Sequence, residues 1–265
     1  MREIPDKPLA AMIGLLPLPG SPQYGGDDVR IVERALEDLE FYRAAGADVI
    51  VLENSHDVPY IKPPLPEAAA DLAEHIAHEC RNRFAGPIGI QMLEAANEMA
   101  FLIARRAGLD FLRVEGYVFA HVGTAGIIEG SAGKLQRLRA GENAGGIRFF
   151  GDIKKKHCAH ALTGDLDIVD ELRQAEFCLV DGVIVTGSRT GSAPDPAEVR
   201  RVHEAASVPV WIGSGMTPSN IGNYIQISDG YIVGSTFREN GEFLGELQPD
   251  RLEEFMRAFR EARGW

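Results

Sequence analysis

The sequence contains few cysteines, and none of them lies in a short paired motif. Its 265 residues include only Cys80, Cys158 and Cys178, and no two of these form a C-x-x-C pair. An odd number of widely separated cysteines argues against a disulfide framework and against a zinc module. We therefore expect a protein of a reducing compartment, namely the cytoplasm.

Long hydrophobic runs are also missing. No stretch reaches the about 18 consecutive apolar residues that a membrane-spanning helix requires. Residues 1–8 contain two prolines and four charged side chains, which is unlike the apolar segment of a signal peptide. The sequence therefore predicts neither membrane insertion nor a signal peptide.

Positive charge is scarce, because 27 lysines and arginines face 39 aspartates and glutamates and leave a net charge of −12. A broad basic surface for nucleic acid or an anionic membrane is thus not expected. An anionic ligand, if there is one, must be held by local geometry rather than by the overall field.

Short apolar segments alternate with amphipathic segments along the whole chain. Seven strands are predicted at residues 9–16, 49–52, 88–93, 111–114, 183–185, 208–212 and 231–233, and another begins at Phe149. Apolar strands that alternate with helices are typical of a parallel sheet covered by helices. Eight such units without a linker favour one domain over residues 1–265, a (β/α)8 barrel. An open doubly wound sheet is the alternative, because the helix between strands seven and eight is short and weakly periodic.

Polar side chains cluster where the predicted strands end. The residues in question are Glu53, Asn54, His56, Gln91, Glu115, His121, Asp152, Lys154, Lys156, His157, Ser188 and Arg189. In barrel enzymes the loops after the strands meet at one mouth, and the active site is built there. The turns at the opposite end are small and repetitive, so this asymmetry indicates an enzyme rather than a scaffold.

Two glycine-serine segments follow the last two predicted strands. Gly213, Ser214 and Gly215 follow the seventh strand, and Gly234 and Ser235 follow the eighth. Glycines at these positions allow backbone N–H groups to approach a phosphate. Thr217 and Pro218 are typical of a helix start, so we expect a helix to begin beside this site. The alternative is that the glycines only form tight turns.

The segment after the fifth strand carries three consecutive lysines. If the strand continues past Gly151, the side chains of Asp152, Lys154 and Lys156 share one face and Lys155 takes the other. This alternation predicts that Asp152 and Lys154 point inward and that Lys155 is structural.

The candidate catalytic residues are Glu53, Glu115, Asp152, Lys154 and Lys156. The carboxylates suit a general acid, a general base or a group that stabilises a developing cation. Either lysine suits a Schiff base or a partner for a phosphate. Structural ion pairs at the barrel rim are the alternative for each of them.

The other polar residues are candidate substrate contacts, namely Asn54, His56, Gln91, His121, His157, Ser188 and Arg189. His56, His121, His157 and His160 raise the question of a metal, but their spacing matches no metal-binding motif. We therefore predict no metal, and the sequence identifies no cofactor. Arg189 is either an anion contact or an exposed loop arginine.

Several segments together resemble the BtpA family, also called the BtpA/SgcQ family. They are residues 17–22, 53–54 with 57–59, 113–115, 152–157, 181–187, 212–215 and 232–235, which read PLPGSP, EN with DVP, RVE, DIKKKH, DGVIVTG, IGSG and IVGS. The family is similar to the ribulose-phosphate-binding barrels, so the resemblance implies that barrel type and a phosphate site. One branch is named for a factor that affects photosystem I, and other members resemble sugar or nucleoside enzymes.

From these patterns we expect an enzyme that acts on a phosphorylated sugar or a nucleoside-type small molecule. Isomerisation, aldol cleavage and cleavage of an N-glycoside all remain open. The alternative is a non-catalytic photosystem I biogenesis or stability factor that acts through protein–protein contacts. A homo-oligomer is expected on general grounds, because most soluble oligomers are symmetric assemblies of one chain.

Overall fold

The computed structural model describes residues 2–189 and 191–264, and within them eight parallel strands close into a barrel. In barrel order these strands are β1 (Leu9–Gly14), β2 (Val49–Glu53), β3 (Ile88–Gln91), β4 (Phe111–Val114), β7 (Arg148–Ile153), β8 (Gly182–Val185), β9 (Val210–Ile212) and β10 (Gly230–Val233). Strand β10 pairs in parallel with β1, so the sheet has no free edge. The predicted (β/α)8 barrel is thereby confirmed.

Amphipathic helices cover the outside of the barrel. They are α1 (Asp28–Ala45), α2 (Glu67–Arg83), α3 (Asn97–Ala107), α4 (Ala132–Gly141), α5 (Ile168–Phe177), α6 (Pro196–Ala205) and α7 (Pro249–Arg263). Asp27, Asp167 and Asp195 cap three of them by accepting hydrogen bonds from backbone N–H groups of the first turn. Among the described residues, no helix combines the length and hydrophobicity that crossing a membrane requires.

The helix predicted to begin at Thr217 and Pro218 does not form. Only a short 3-10 turn, Ile221–Asn223, follows β9. The Asn220 side chain accepts a hydrogen bond from the backbone N–H of Thr217 at 2.8 Å and donates one to the carbonyl of Gly215 at 2.9 Å. This side chain competes with helical backbone bonds and fixes a compact loop instead.

A small hairpin lies in the segment between β4 and helix α4. Its strands are β5 (His121–Gly123) and β6 (Gly126–Ile128), and they pair antiparallel. Val122 also exchanges two backbone hydrogen bonds with Ala159, at 3.1 and 2.8 Å. The hairpin therefore ties down the segment that follows the three lysines.

Aromatic rings fill the barrel interior below the mouth. The rings of Phe111, Phe150 and Trp211 pack with centroids 4.4 to 5.6 Å apart. Strand glycines make room for them, since a Cβ on Gly89 would lie 2.3 Å from the Phe111 ring. A Cβ on Gly182 would lie 2.4 Å from the Phe150 ring. The interior at this level is thus a packed core.

Candidate active site

A cavity of about 640 Å³ opens at the carboxyl ends of the barrel strands. Met12 on β1 and Ile232 on β10 belong to the packed barrel core and also line this cavity. Glu53 and Gln91 are paired neighbours at the ends of β2 and β3, and both face it. The cavity therefore lies where the clustering of polar residues predicts an active site, and its volume suits a small molecule.

Arg113 on β4 and Asp152 on β7 form a buried ion pair beneath the cavity. The guanidinium donates two parallel hydrogen bonds to the carboxylate, both at 2.9 Å. Their side chains are 5% and 0% exposed, and only Arg113 lines the cavity. Burial would lower the pKa of Arg113, but the Asp152 carboxylate outweighs it and raises that pKa above the ordinary value. Asp152 therefore holds a permanent cation in place rather than meeting a ligand itself.

Lys155 lies between two carboxylates at the cavity wall. Its Nζ forms an ion pair with Glu115 and lies 3.6 Å from the Glu94 carboxylate. Burial raises the pKa of Glu115, and Lys155 opposes that rise. Burial would lower the pKa of Lys155, but Glu115 outweighs it and raises that pKa. The prediction that Lys155 is structural agrees with this pairing, although its side chain also lines the cavity.

Lys156 reaches the cavity in a different electrostatic setting. Within the described part of the chain, its Nζ takes part in no hydrogen bond or ion pair, while its backbone N–H donates to Thr186 Oγ1 at 3.1 Å. Burial and the nearby Arg113 lower its pKa to about 8, and Glu53 opposes this. Glu53 is 5% exposed and accepts a hydrogen bond from Ser55 Oγ at 2.9 Å. The two residues are a candidate acid–base pair.

Lys154 lies outside the cavity, so its prediction as an inward catalytic residue is wrong. Strand β7 ends at Ile153, and Lys154 adopts a left-handed backbone with φ of 43°. Its Nζ hydrogen-bonds the backbone carbonyl of Thr163 at 3.1 Å and lies 3.9 Å from Glu171 on helix α5. Side chains alternate only while the backbone stays extended, so the turn breaks the predicted order of the lysines.

The two glycine-serine segments lie together on another part of the cavity wall. Gly213, Ser214, Gly215, Gly234 and Ser235 all line it. The backbone N–H groups of the last four find no acceptor within residues 2–189 and 191–264. Gly215 has φ of 76°, and a Cβ there would lie 2.1 Å from the backbone nitrogen of Ala193. Glycine is therefore required at this turn, and four donors are available to a ligand.

Further donors, acceptors and apolar surface complete the lining. The side-chain oxygen of Gln91 is buried without a hydrogen-bond partner among the described residues. Tyr60, whose hydroxyl donates to the carbonyl of Ser55 at 2.8 Å, and Phe243 contribute aromatic rings to the lining. His157 also lines the cavity. A ligand with one polar end and one flatter apolar end would find partners here.

Several predicted substrate contacts do not line the cavity. Asn54 is fully buried, and its amide bridges two loops by accepting from the backbone N–H of Leu93 at 2.6 Å and donating to the Leu93 carbonyl at 3.1 Å. His56 hydrogen-bonds the carbonyl of Leu15 at 2.8 Å. Ser188 and Arg189 are exposed on the loop after β8. We correct these four assignments, because their polar atoms are used in loop structure or face solvent.

His121 is likewise buried behind the wall, in strand β5. Its ring centroid lies 5.7 Å from that of His160, and its Nε2 has no partner among the described residues. Burial, helped by Lys155, lowers its pKa to about 4. It is therefore not a direct ligand contact in this arrangement.

Arg113, Lys155 and Tyr60 line the cavity but are absent from the predicted site residues. A charged residue inside the apolar segment Phe111–Val114 is a usable signal, because burying a charge requires a partner. Lys155 is misplaced by the alternation rule, and Tyr60 lies in a proline-rich loop that carries no periodic signal.

No group of three or more histidine, cysteine, aspartate or glutamate side chains in the described ranges is arranged to hold a metal ion. His56 hydrogen-bonds the carbonyl of Leu15, and His160 hydrogen-bonds the carbonyl of Lys155 and packs its ring against His121. The polar groups described at this cavity are mainly ion-paired side chains and backbone N–H groups.

Comparison with known proteins identifies a family and relatives that match nearly the whole chain. The sequence model of the BtpA family matches residues 5–261. An uncharacterized mitochondrial protein of Caenorhabditis elegans is 39% identical over 95% of this chain and 93% of its own length. The photosystem I biogenesis protein BtpA of Synechocystis is 32% identical over 96% of this chain and 88% of its own length.

Solved structures share the fold at low sequence identity. Thiamine phosphate pyrophosphorylase from Pyrococcus furiosus superposes with a TM-score of 0.61 at 13% identity and covers 96% of both chains. N-(5'-phosphoribosyl)anthranilate isomerase from the same organism superposes with a TM-score of 0.58 at 14% identity over 96% of this chain and 99% of its own. At these identities the likeness establishes the barrel fold.

Proposed function

The chain belongs to the BtpA family, and we propose that it is a barrel enzyme that acts on a phosphorylated sugar or a nucleoside-type small molecule. One observation carries this proposal. A single cavity joins backbone N–H donors at Ser214, Gly215, Gly234 and Ser235 to ionisable side chains at Glu53 and Lys156. The first group suits a phosphate, and the second suits proton transfer or covalent catalysis.

The phosphate assignment rests on local donors rather than on overall charge. The chain carries a net charge of −12, so a dianion is attracted only where oriented N–H groups and nearby cations outweigh the general repulsion. Arg113 lies close enough to Gly213 that its Nη2 would stand 3.2 Å from a Cβ added there. The two solved structures named above also have phosphate esters in the names of the enzymes.

The acid–base assignment distinguishes three carboxylates by their partners. Asp152 is committed to Arg113, and Glu115 is committed to Lys155. Glu53 accepts a hydrogen bond from the neutral hydroxyl of Ser55 and faces the cavity. It is therefore the carboxylate that can exchange a proton with a ligand. Isomerisation, aldol cleavage and N-glycoside cleavage each use such a group.

A non-catalytic role is the second candidate, favoured by the name of the Synechocystis relative. A protein that acts only through its outer surface has no need of an open cavity lined by ionisable groups. The double variant Glu53→Gln, Lys156→Met distinguishes the two. A photosystem I biogenesis or stability role through protein–protein contacts survives this change, whereas an enzymatic role does not.

Two further predictions stay part of the proposal. The few, dispersed cysteines favour a cytoplasmic location, although the relative from Caenorhabditis elegans is named mitochondrial. A homo-oligomer is expected on general grounds.

Calorimetric titration with ribose 5-phosphate, ribose and inorganic phosphate tests the phosphate site. We expect binding of ribose 5-phosphate and much weaker binding of ribose. Ser235→Asp places a carboxylate in the site and should weaken the binding of ribose 5-phosphate at least about tenfold. Ser219→Asp, on the exposed loop after β9, adds the same charge outside the cavity and should leave affinity unchanged. Equal binding of ribose and its phosphate, or equal affinity of both variants, would overturn the assignment.

A further inference from the structure

The three consecutive lysines have three different environments. Lys154 Nζ bonds Thr163 and faces Glu171, and Lys155 Nζ pairs with Glu115. Lys156 Nζ stands in the cavity and, among the residues that the structure describes, is engaged in no hydrogen bond or ion pair. When Lys156 is deprotonated, its lone pair is therefore not taken up by a protein partner in the described residues, and this distinguishes it from its two neighbours.

The charges around Lys156 are fixed by the fold. Those that act on it are Arg113, Glu53, Asp152 and Lys155. Arg113 stays protonated because Asp152 holds it, and Lys155 stays protonated because Glu115 holds it. Two permanent cations nearby disfavour a third, so burial and Arg113 together lower the pKa of Lys156 to about 8. About a tenth of the Lys156 amine is therefore neutral at pH 7 and about half at pH 8, far more than for an ordinary lysine.

We propose that Lys156 attacks a ketone or aldehyde carbon of the phosphorylated substrate and forms an iminium ion. This inference rests on the proposed function, because the phosphate anchored at Ser214 and Ser235 is what places the carbonyl in the cavity. It deepens that function by naming the substrate class as a phosphorylated carbonyl compound, a ketose or aldose phosphate in open form.

The amine lone pair of Lys156 forms the C–N bond, and the carbonyl oxygen takes up one proton from the amine and one from solvent. Loss of that oxygen as water leaves the iminium ion. When a neighbouring C–C or C–H bond breaks, its electron pair moves into the iminium and gives an enamine. The carboxylate of Glu53 accepts the proton that is released, from a hydroxyl group or from carbon. Reprotonation and hydrolysis return the free amine and a carbonyl product.

Reductive trapping tests this proposal on the full-length protein. The protein is incubated with dihydroxyacetone phosphate or ribulose 5-phosphate and sodium borohydride, and intact mass is measured. We expect one adduct whose mass equals that of the probe minus one oxygen atom, located at Lys156 by peptide mapping. The rate of its formation should rise with pH and level off above the lowered pKa of Lys156, about 8.

Matched lysine variants separate Lys156 from surface amines. Lys156→Arg keeps the positive charge but removes the nucleophile, so the adduct should fall at least about tenfold. Lys154→Met should keep it, because that side chain lies outside the cavity. Calorimetric titration of the same probes distinguishes a failure of the iminium step from a failure of the proposed function. Binding without an adduct at residue 156 overturns the iminium and leaves the proposed function standing. Absence of both binding and adduct overturns both.

Discussion

Arg113 and Asp152 face each other across neighbouring barrel strands through two hydrogen bonds of 2.9 Å. Strand β4 supplies the cation and strand β7 supplies the anion, so the pair joins two strands at the level of the cavity. Only the arginine reaches the cavity. The aspartate therefore acts on a ligand through the arginine, whose position and charge it fixes.

Replacing Asp152 by asparagine should strongly destabilise the fold. The variant keeps the shape of the side chain but leaves the Arg113 guanidinium, 5% exposed, without its counter-charge. Breaking a buried ion pair from one side costs about 3–5 kcal/mol, and we expect the lower end because asparagine still accepts one hydrogen bond. The free energy of unfolding in urea measures this loss.

The double variant Arg113→Met, Asp152→Leu is the control for that measurement. It removes both charges and should be more stable than Asp152→Asn, because no isolated charge stays buried. If the single variant loses less than about 1 kcal/mol, Arg113 is not held by Asp152 in solution.

The lysine segment shows where reasoning from the sequence fails and why. The apolar residues before Gly151 correctly predict a strand that ends in a polar site. The alternation of side chains then assigns Lys154 to the interior, although the strand ends at Ile153 and the backbone turns. A residue with positive φ cannot be recognised when it is a lysine, since such turns usually carry glycine or asparagine. The turn therefore takes Lys154 out of the cavity and brings Lys155 to its wall.

Lys155→Met should destabilise the protein far more than Lys154→Met. Lys155 is the partner of Glu115, whose side chain is 1% exposed, so its loss leaves a buried carboxylate at a cost of about 3–5 kcal/mol near pH 8. Lys154 is 20% exposed and only 3.9 Å from Glu171, so its loss should cost about 1 kcal/mol or less. Urea denaturation of the two variants makes the comparison.

The deficit of Lys155→Met should also depend on pH. Burial already raises the pKa of Glu115, and removal of the cation raises it further. A carboxyl whose folded pKa lies above its unfolded pKa loses stability as pH rises between the two. The variant should therefore lie closer to wild type at pH 5 than at pH 8. A deficit that is equal at both values would contradict an ionised Glu115.

His121 should make the fold sensitive to acid. Burial and Lys155 lower its pKa from 6.5 to about 4, so the unfolded chain binds a proton between these values that the folded chain does not. Stability is then lost as pH falls from about 6.5 to about 4, by up to about 3 kcal/mol. His121→Gln should flatten this part of the pH profile of unfolding. His75→Gln, at an exposed helical position, should leave the profile as in wild type.

The barrel fold can be predicted from the sequence because the pattern of strand and helix is repeated. Each strand and helix carries its own periodicity, and eight repeats reinforce one another. The hairpin from His121 to Ile128 has no such support, since three-residue strands are too short to show a period. The missing helix after β9 depends on Asn220, whose side chain replaces backbone bonds that propensity alone predicts. The two glycine-serine segments line the cavity, as their position after particular strands predicts, and their role in phosphate binding stays a prediction.

Gly215→Ala should disrupt both the fold and the binding of ribose 5-phosphate. Its φ of 76° costs an alanine about 1–2 kcal/mol. The new Cβ would also lie 2.1 Å from the backbone nitrogen of Ala193, which cannot yield as a flexible side chain would. We expect a total loss above about 2 kcal/mol in urea denaturation, with weaker ligand binding as the loop shifts.

Gly222→Ala is the matched control, because that glycine is exposed and has open space for a Cβ without a left-handed backbone. It should change stability by less than about 0.5 kcal/mol. Equal losses in the two variants would mean that the turn at Gly215 has room for a side chain and does not set the position of the phosphate donors.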